Sequence, residues 1–196
     1  ALGPGEGLRG GLQPCGVAVH RPAGFDLGRA GGVVRLARGE RGRAEVHLRA
    51  EAFDRAPANP GSADGRPFAW LADTDGRLGP VIEAIINGRY YWIPCERLAA
   101  VQQEAPADLR DVVWMPASLT FTTGGETVAL LPARYPGLSA EEDDGSLLLG
   151  RRTEWRENDH GLVLAAGQRV FATDGDDVAL YDLRALHFDP AGPASA

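Results

Sequence analysis

No lysine occurs in this chain of 196 residues; all 20 basic positions are arginine. That absence excludes a Schiff-base lysine, a P-loop lysine and a kinase-type lysine together. GC-rich coding, which also favours the abundant Ala, Gly and Pro, accounts for it. Cysteine is scarce as well. Cys15 and Cys95 form no CxxC pair and share no repeated spacing, so two free thiols and a reducing compartment are expected. Long apolar runs are missing. The greasiest stretches, Val81–Ile86 and Val128–Leu131, fall far short of the roughly 18–20 residues of a membrane span. The N-terminus, Ala-Leu-Gly-Pro-Gly-Glu, has no basic region ahead of an apolar one. No signal peptide is expected, and the chain reads as cytoplasmic. Positive charge is in deficit, with a net charge of −7. That balance argues against general nucleic-acid binding and leaves only a local Arg patch.

What is present describes an ordinary globular protein: 44% hydrophobic and 24% charged residues, enough for one domain or two small ones. Residues 1–25 form a Gly/Pro-rich arm too dense in turn formers to build a core. Residues 26–57 turn helical. Leu27, Ala30, Val33, Val34 and Ala37 share one face, Gly39 breaks the run, and Ala44, Leu48, Ala52 and Phe53 share the next face until Pro57. This predicts a helical hairpin. Residues 58–66 read as a linker, 66–188 as a β-rich domain and 189–196 as a tail. The expected class is α+β: a short N-terminal helical hairpin, then a mostly antiparallel domain that is barrel-like or a strongly twisted sheet.

The strongest local signal is Asn87-Gly88, a type I′ turn pair between Val81–Ile86 and an aromatic run from Tyr90 to Ile93. Pro94 is expected to end the second strand or lie at an edge. Glu96–Glu104 reads as short helix or strand. Val112–Thr122 reads as a strand in which Pro116 demands a bulge or an edge. Gly124-Gly125 predicts a second hairpin into Thr127–Ala133, and Leu147–Trp155 a further strand. A third hairpin runs from Arg169–Thr173 to Val178–Phe188 around Asp174–Asp177.

Chemistry-bearing motifs are few. Asp73-Thr-Asp75 either holds a divalent cation or caps a turn and pairs with Arg77. Asp174–Asp177 resembles the start of a calcium loop but lacks the closing Glu, so a hairpin turn explains it more simply. His20, His47, His160 and His187 show no zinc spacing. No GxSxG, Walker or GxGxxG pattern appears. No catalytic residue, metal or cofactor is therefore assigned. Trp70, Trp92, Trp114 and Trp155 fall one per β segment, either as core or as a platform for a peptide or helix. Tyr90 and Tyr91 face opposite sides of a regular strand, with one of them exposed.

One stretch, Phe68-Ala-Trp-Leu-Ala-Asp-Thr-Asp-Gly-Arg-Leu-Gly-Pro-Val-Ile-Glu-Ala-Ile-Ile-Asn-Gly-Arg-Tyr-Tyr-Trp-Ile-Pro94, resembles the hallmark of the ImpE/SciE/TagJ family. These are accessory proteins of bacterial type VI secretion systems. Further runs resemble the family in the same order: Pro106–Pro116, Gly124-Gly-Glu126, Pro132–Gly137, Arg152–Trp155, Gly167-Gln-Arg169 and Ala172-Thr-Asp174. The resemblance runs from about Val33 to Phe188. Gly76 stands where the family commonly has Ser, and Cys95 where it commonly has an aromatic. The helical hairpin resembles the end of a longer tetratricopeptide-like region.

The resemblance implies a non-enzymatic adaptor. It would bind the N-terminal helix of the small sheath subunit, TssB, and connect with the ClpV unfoldase, without nucleic acid or membrane. Oligomeric state is left open. The residues expected to bind the partner are Trp70, Asp73, Asp75, Arg77, Tyr90, Tyr91 and Trp92. Two alternatives stand beside this. One is an enzyme, small-ligand or metal-binding domain using Asp73, Asp75, Arg77 and Glu83. The other is a purely structural domain.

Overall fold

A computed structural model of the chain describes residues 43–137 and 145–190. The Gly/Pro-rich arm, Cys15, His20 and the first helix of the expected hairpin lie outside the described residues. So does the tail beyond residue 190.

The second helical run is present as α1 (Arg43–Asp54). Its expected apolar stripe anchors it only in part. Leu48 is 36% exposed, whereas Arg49 is buried and donates from Nη1 to the Arg77 carbonyl at 2.6 Å. The ring of Phe53 lies against Gly79.

Thirteen strands follow: β1 (Gly61–Ala63), β2 (Arg66–Phe68), β3 (Leu71–Asp73), β4 (Val81–Ile86), β5 (Arg89–Pro94), β6 (Leu98–Gln103), β7 (Trp114–Phe121), β8 (Glu126–Pro132), β9 (Thr153–Glu157), β10 (Val163–Gly167), β11 (Val170–Thr173), β12 (Val178–Ala179) and β13 (Ala185–Phe188). Eight of them form one sheet in the order β2-β1-β13-β6-β7-β8-β4-β5, beside a three-stranded sheet β12-β11-β3 and a two-stranded sheet β10-β9.

The α+β expectation is corrected by this arrangement. The described residues are mostly antiparallel sheet with one helix, and no helical hairpin is shown. Nor is there a closed barrel: the large sheet ends in β2 on one side and β5 on the other. Closure needs two edges that can pair. β2 is three residues long and contains Pro67, which has no N–H to offer.

Local turn chemistry is followed closely. Ile86 pairs with Arg89 across Asn87 (φ 50°) and Gly88 (φ 73°), as a type I′ turn requires. β5 ends at Pro94. Glu96–Glu104 resolves into a single 3-10 turn at Cys95–Arg97 followed by β6. β7 and β8 pair from Thr120↔Glu126 to Trp114↔Pro132. Pro116 is tolerated because β6 stops pairing with β7 at Gln103↔Ala117, which leaves an edge there. Two expected strands differ. Residues 145–150 form turns, and strand begins only at Thr153. The third hairpin divides: β12 pairs with β11, but β13 leaves to pair with β1 and β6.

The main core is largely aliphatic. Ile82, Leu98, Met115, Leu119, Leu131 and Phe171 are among its buried members. Along β7 and β8 buried and exposed residues alternate, so one face of this part of the sheet packs and the other does not. β4 differs, with Val81, Ile82, Glu83 and Ala84 all buried. Its second face is covered by Leu78, Tyr135 and Ala165, against which Trp92 and Trp155 pack. None of the four tryptophans is fully buried; Trp114 is 41% exposed.

Gly79 and Gly88 both have positive φ, but only Gly79 is crowded: a Cβ there would meet the Phe53 ring at 2.3 Å, whereas none would be met at Gly88. Gly88→Ala is expected to cost about 1–2 kcal/mol from backbone strain alone. Gly79→Ala should cost at least about 1 kcal/mol more through overpacking. Urea denaturation of the two variants measures the difference.

Candidate functional site

The turn that follows β3 is built by its own side chains. Asp73 Oδ1 accepts the Asp75 N–H at 2.8 Å, and Asp75 Oδ1 accepts the Arg77 N–H at 2.8 Å. These are two Asx turns in succession. The Arg77 guanidinium then folds back on the fully buried Asp75, with Nε donating to Oδ1 at 2.8 Å and Nη2 to Oδ2 at 2.6 Å. The second Asp75 oxygen also accepts the Ala165 N–H of β10 at 2.9 Å.

Arg169 enters the same interior from the residue before β11. It is 2% exposed. Nη1 donates to Asp73 Oδ2, Nη2 to Glu83 Oε2, and Nε to the Pro132 carbonyl at 2.8 Å. Its guanidinium carbon stands 5.0 Å from the centroid of the Tyr135 ring. The Tyr135 hydroxyl donates to Asp73 Oδ1 at 2.7 Å and accepts the Val170 N–H at 3.0 Å. Glu83 Oε1 accepts the Trp92 indole N–H at 3.2 Å, which the Tyr90 hydroxyl also accepts.

Three carboxylates thus meet two guanidinium groups. Burial pushes the Asp73 carboxyl up to about 6, against the opposing pull of Arg169, the Asp75 N–H and the Tyr135 hydroxyl. Burial also raises the Tyr135 phenol, and the neighbouring Asp73 charge adds to it. For Arg169, burial works against its charge, but Asp73 and Glu83 outweigh it and hold the group protonated.

An exposed surface continues on the same face of the large sheet as Glu83 and Trp92. Pro116 pairs with Leu130, Leu130 with Ile85, and Ile85 with Tyr90. These residues form one apolar row across four strands. Val128 is 70% exposed beside it and Tyr90 56% exposed. A cleft of about 390 Å³ adjoins the row, lined by Tyr90, Trp114, Pro132, Arg134, Pro136 and Leu148 among others.

The residues singled out in the sequence therefore separate into groups. Asp73, Asp75, Arg77 and Glu83 do converge, but Asp75 pairs with Arg77 while Asp73 and Glu83 meet through Arg169. Tyr90 and Tyr91 lie on opposite faces of β5 and are both exposed, because β5 is an edge strand. Trp92 joins the buried network to that edge. Trp70 is half-buried away from it, lining a small pocket with Phe53, Ala56 and Pro80. Arg169 and Tyr135 were not singled out as site residues, although both lie in family-like runs. The available signal was a charged or phenolic residue beside apolar β segments. Gly76 is tightly packed: a Cβ there would meet Leu162 and the Val163 carbonyl within 2.9 Å.

Comparison with known proteins places this geometry. The ImpE protein family model matches residues 65–187. The chain is 56% identical over 149 residues to the type VI secretion system accessory component TagJ of Pseudomonas aeruginosa, covering 76% of this chain and 51% of that protein. It thus spans about half the length of that curated relative. The crystal structure of a Vibrio parahaemolyticus protein shares the fold, with a TM-score of 0.70 at 19% identity over 85% of this chain and 63% of that one.

Removing one partner of a buried ion pair leaves its mates uncompensated. Arg169→Met is therefore expected to cost about 3–5 kcal/mol in urea denaturation. Asp73 adds a pH dependence. Its folded value of about 6 lies above its ordinary 3.8, so the native state binds that proton more tightly. The resulting stabilisation is complete below about pH 4 and is lost as pH rises to about 6. The stability of the wild type relative to Asp73→Asn should fall by up to about 3 kcal/mol between pH 4 and pH 7. Parallel denaturation curves across that range check it.

Proposed function

This chain belongs to the ImpE family, and from that premise we propose that it is a non-enzymatic accessory protein of a bacterial type VI secretion system. In this reading it holds the N-terminal helix of the small sheath subunit, TssB, and links that subunit to the ClpV unfoldase. The observation that carries the reading is the exposed apolar row Pro116–Leu130–Ile85–Tyr90 beside the cleft. Neighbouring strands lie about 4.8 Å apart. Anchors at i, i+3 or i+4, and i+7 of a helix recur at roughly 5–6 Å along its axis. A helix laid along the row therefore offers one apolar side chain per strand.

Two features support a binding role over catalysis. The acids that a small-ligand or metal site would need are engaged with Arg77, Arg169 and backbone N–H groups. The exposed apolar side chains, by contrast, have no cover within the described residues. Among the residues expected to bind the partner, Tyr90 lies in the row with Trp92 beside it, whereas Tyr91 faces the other side of β5 and Trp70 lies away from it. Asp73, Asp75 and Arg77 act beneath the surface by holding the framework.

Calorimetric titration with a synthetic TssB N-terminal helix tests the proposal. Val128→Glu and Leu130→Glu should each weaken binding by about ten-fold or more, since each removes about 1.5–3 kcal/mol of side-chain burial. Their melting temperatures should stay near that of the wild type, because both side chains face solvent. Folded wild-type protein that shows no binding at high micromolar peptide would refute it.

A further inference from the structure

The two edges of the large sheet are treated differently. β2 is short, begins with an exposed Arg66 and carries Pro67 at its centre. Those are standard means of blocking an edge. β5 has six consecutive residues, all in regular register with β4 and with no bulge. Its only charge is Arg89 at one end, and its only proline is Pro94 at the other. Between them stand Tyr90, Tyr91, Trp92 and Ile93, none charged.

The type I′ turn dictates which backbone groups of β5 are free. Ile86↔Arg89 closes the two-residue loop and is a hydrogen-bonded pair. Arg89, Tyr91 and Ile93 therefore direct their N–H and C=O groups to β4. Tyr90 and Trp92 direct theirs outward. Among the described residues β5 pairs with β4 alone, so that outer row has no strand to receive it. Pro94 lies on the outward set and has no N–H, which ends the row.

We propose that β5 is the seam of a two-fold homodimer, in which the β5 strands of two copies pair antiparallel about Tyr91 and join their large sheets edge to edge. The short sequence is suited to self-pairing. Tyr90 falls opposite Trp92 of the partner subunit in hydrogen-bonded pairs, so both outward donors and both outward acceptors of each strand are satisfied. Tyr91 falls opposite the partner subunit's Tyr91, on the axis. Every central cross-strand pair is aromatic, a type that stabilises neighbouring strands. Arg89 meets the partner's Ile93, not another charge. The two Arg89 positions stand four residues apart along the pairing, roughly 14 Å, beyond the screening length of about 8–10 Å. The missing N–H of Pro94 falls past the paired region and costs nothing. Such an interface is isologous and closes at two copies. It uses the backbone edge of β5 and leaves the outward face of the apolar row uncovered, so it does not depend on the helix-binding proposal.

Sedimentation equilibrium of the 196-residue chain from about 10 to about 500 µM tests the inference, the range in which a seam of this size is expected to dissociate. A reversible monomer–dimer equilibrium is expected. Tyr91→Lys and Tyr91→Glu each place like charges on the axis and should weaken association at least about ten-fold. An equimolar mixture of the two should regain it, and both should melt close to the wild type. Hydrogen exchange of the wild type supplies a readout that needs no variant. The Tyr90 and Trp92 amides should slow with rising protein concentration, and the Tyr91 amide should not. A chain that stays monomeric throughout would overturn the proposal. So would a dimer indifferent to both charged variants, or Tyr90 and Trp92 amides protected only when a foreign extended peptide is added.

Discussion

Arg169 carries a charge into the protein interior, where an unpaired guanidinium would cost several kcal/mol. The fold answers by bringing partners from two of the three sheets and from the segment after β8. Asp73 comes from the end of β3 in the three-stranded sheet, and Glu83 from β4 in the large one. The Pro132 carbonyl comes from the end of β8 and the Tyr135 ring from the segment after it. Asp75, two residues from Asp73, reaches the β10 backbone of the two-stranded sheet. One side chain thus ties together layers that share few ladder hydrogen bonds. Aliphatic contacts alone would tolerate many relative placements of these sheets. A guanidinium with three directed donors tolerates few.

The network also sets limits on the surface. Glu83 is held from inside by Arg169, and its other oxygen receives the Trp92 indole, which in turn meets the Tyr90 hydroxyl. Trp92 and Tyr90 are large side chains on an edge strand, where rotamer freedom would ordinarily be high. The chain of contacts fixes both against β4. Rigid aromatics lose little entropy when a partner arrives. The buried ions are thus linked to the exposed apolar row through hydrogen bonds and through the adjoining cleft, which Glu83 and Tyr135 also line.

Features written over a few residues were legible in the sequence. Asn87-Gly88 predicts its hairpin because both residues must adopt positive φ, and Asp73-Thr-Asp75 predicts a side-chain-capped turn paired with Arg77. Pro94 ends its strand and Pro116 lies at an edge, each because an N–H is missing. Features set by distant partners were not legible. Nothing in Ala185–Phe188 tells that β13 abandons the hairpin with β11 to lie between β1 and β6. Arg169 is 96 residues from Asp73, and a lone arginine before an apolar run looks like a solvated one until the fold closes over it. The tryptophans misled for a related reason. Their spacing, one per β segment, suits a core, but the core is filled largely by aliphatic residues and the indoles line its margins. The helical run at Ala44–Phe53 was recognised by period. Phe53 lies on the expected face, but the anchoring through Arg49 was hidden, because its partner, the Arg77 carbonyl, lies on a distant loop.

The β4–β5 hairpin shows how far one turn reaches. Because its loop has two residues, Ile86 must face Arg89, and every later pair follows. That register puts Glu83 and Trp92 side by side on the face that Arg169 occupies, and Ile85 and Tyr90 side by side in the apolar row. It also sends the Tyr90 and Trp92 amides outward and the Tyr91 amide inward. A slip of one residue would exchange the two faces. Glu83 would then point into the aliphatic core, Arg169 would lose its second carboxylate, and Tyr91 would replace Tyr90 in the row. Buried charge and exposed aromatics, two residues apart on the same face of β4, therefore enforce the same alignment. The interior can afford an ionic cluster because the turn leaves it one register in which every donor is matched.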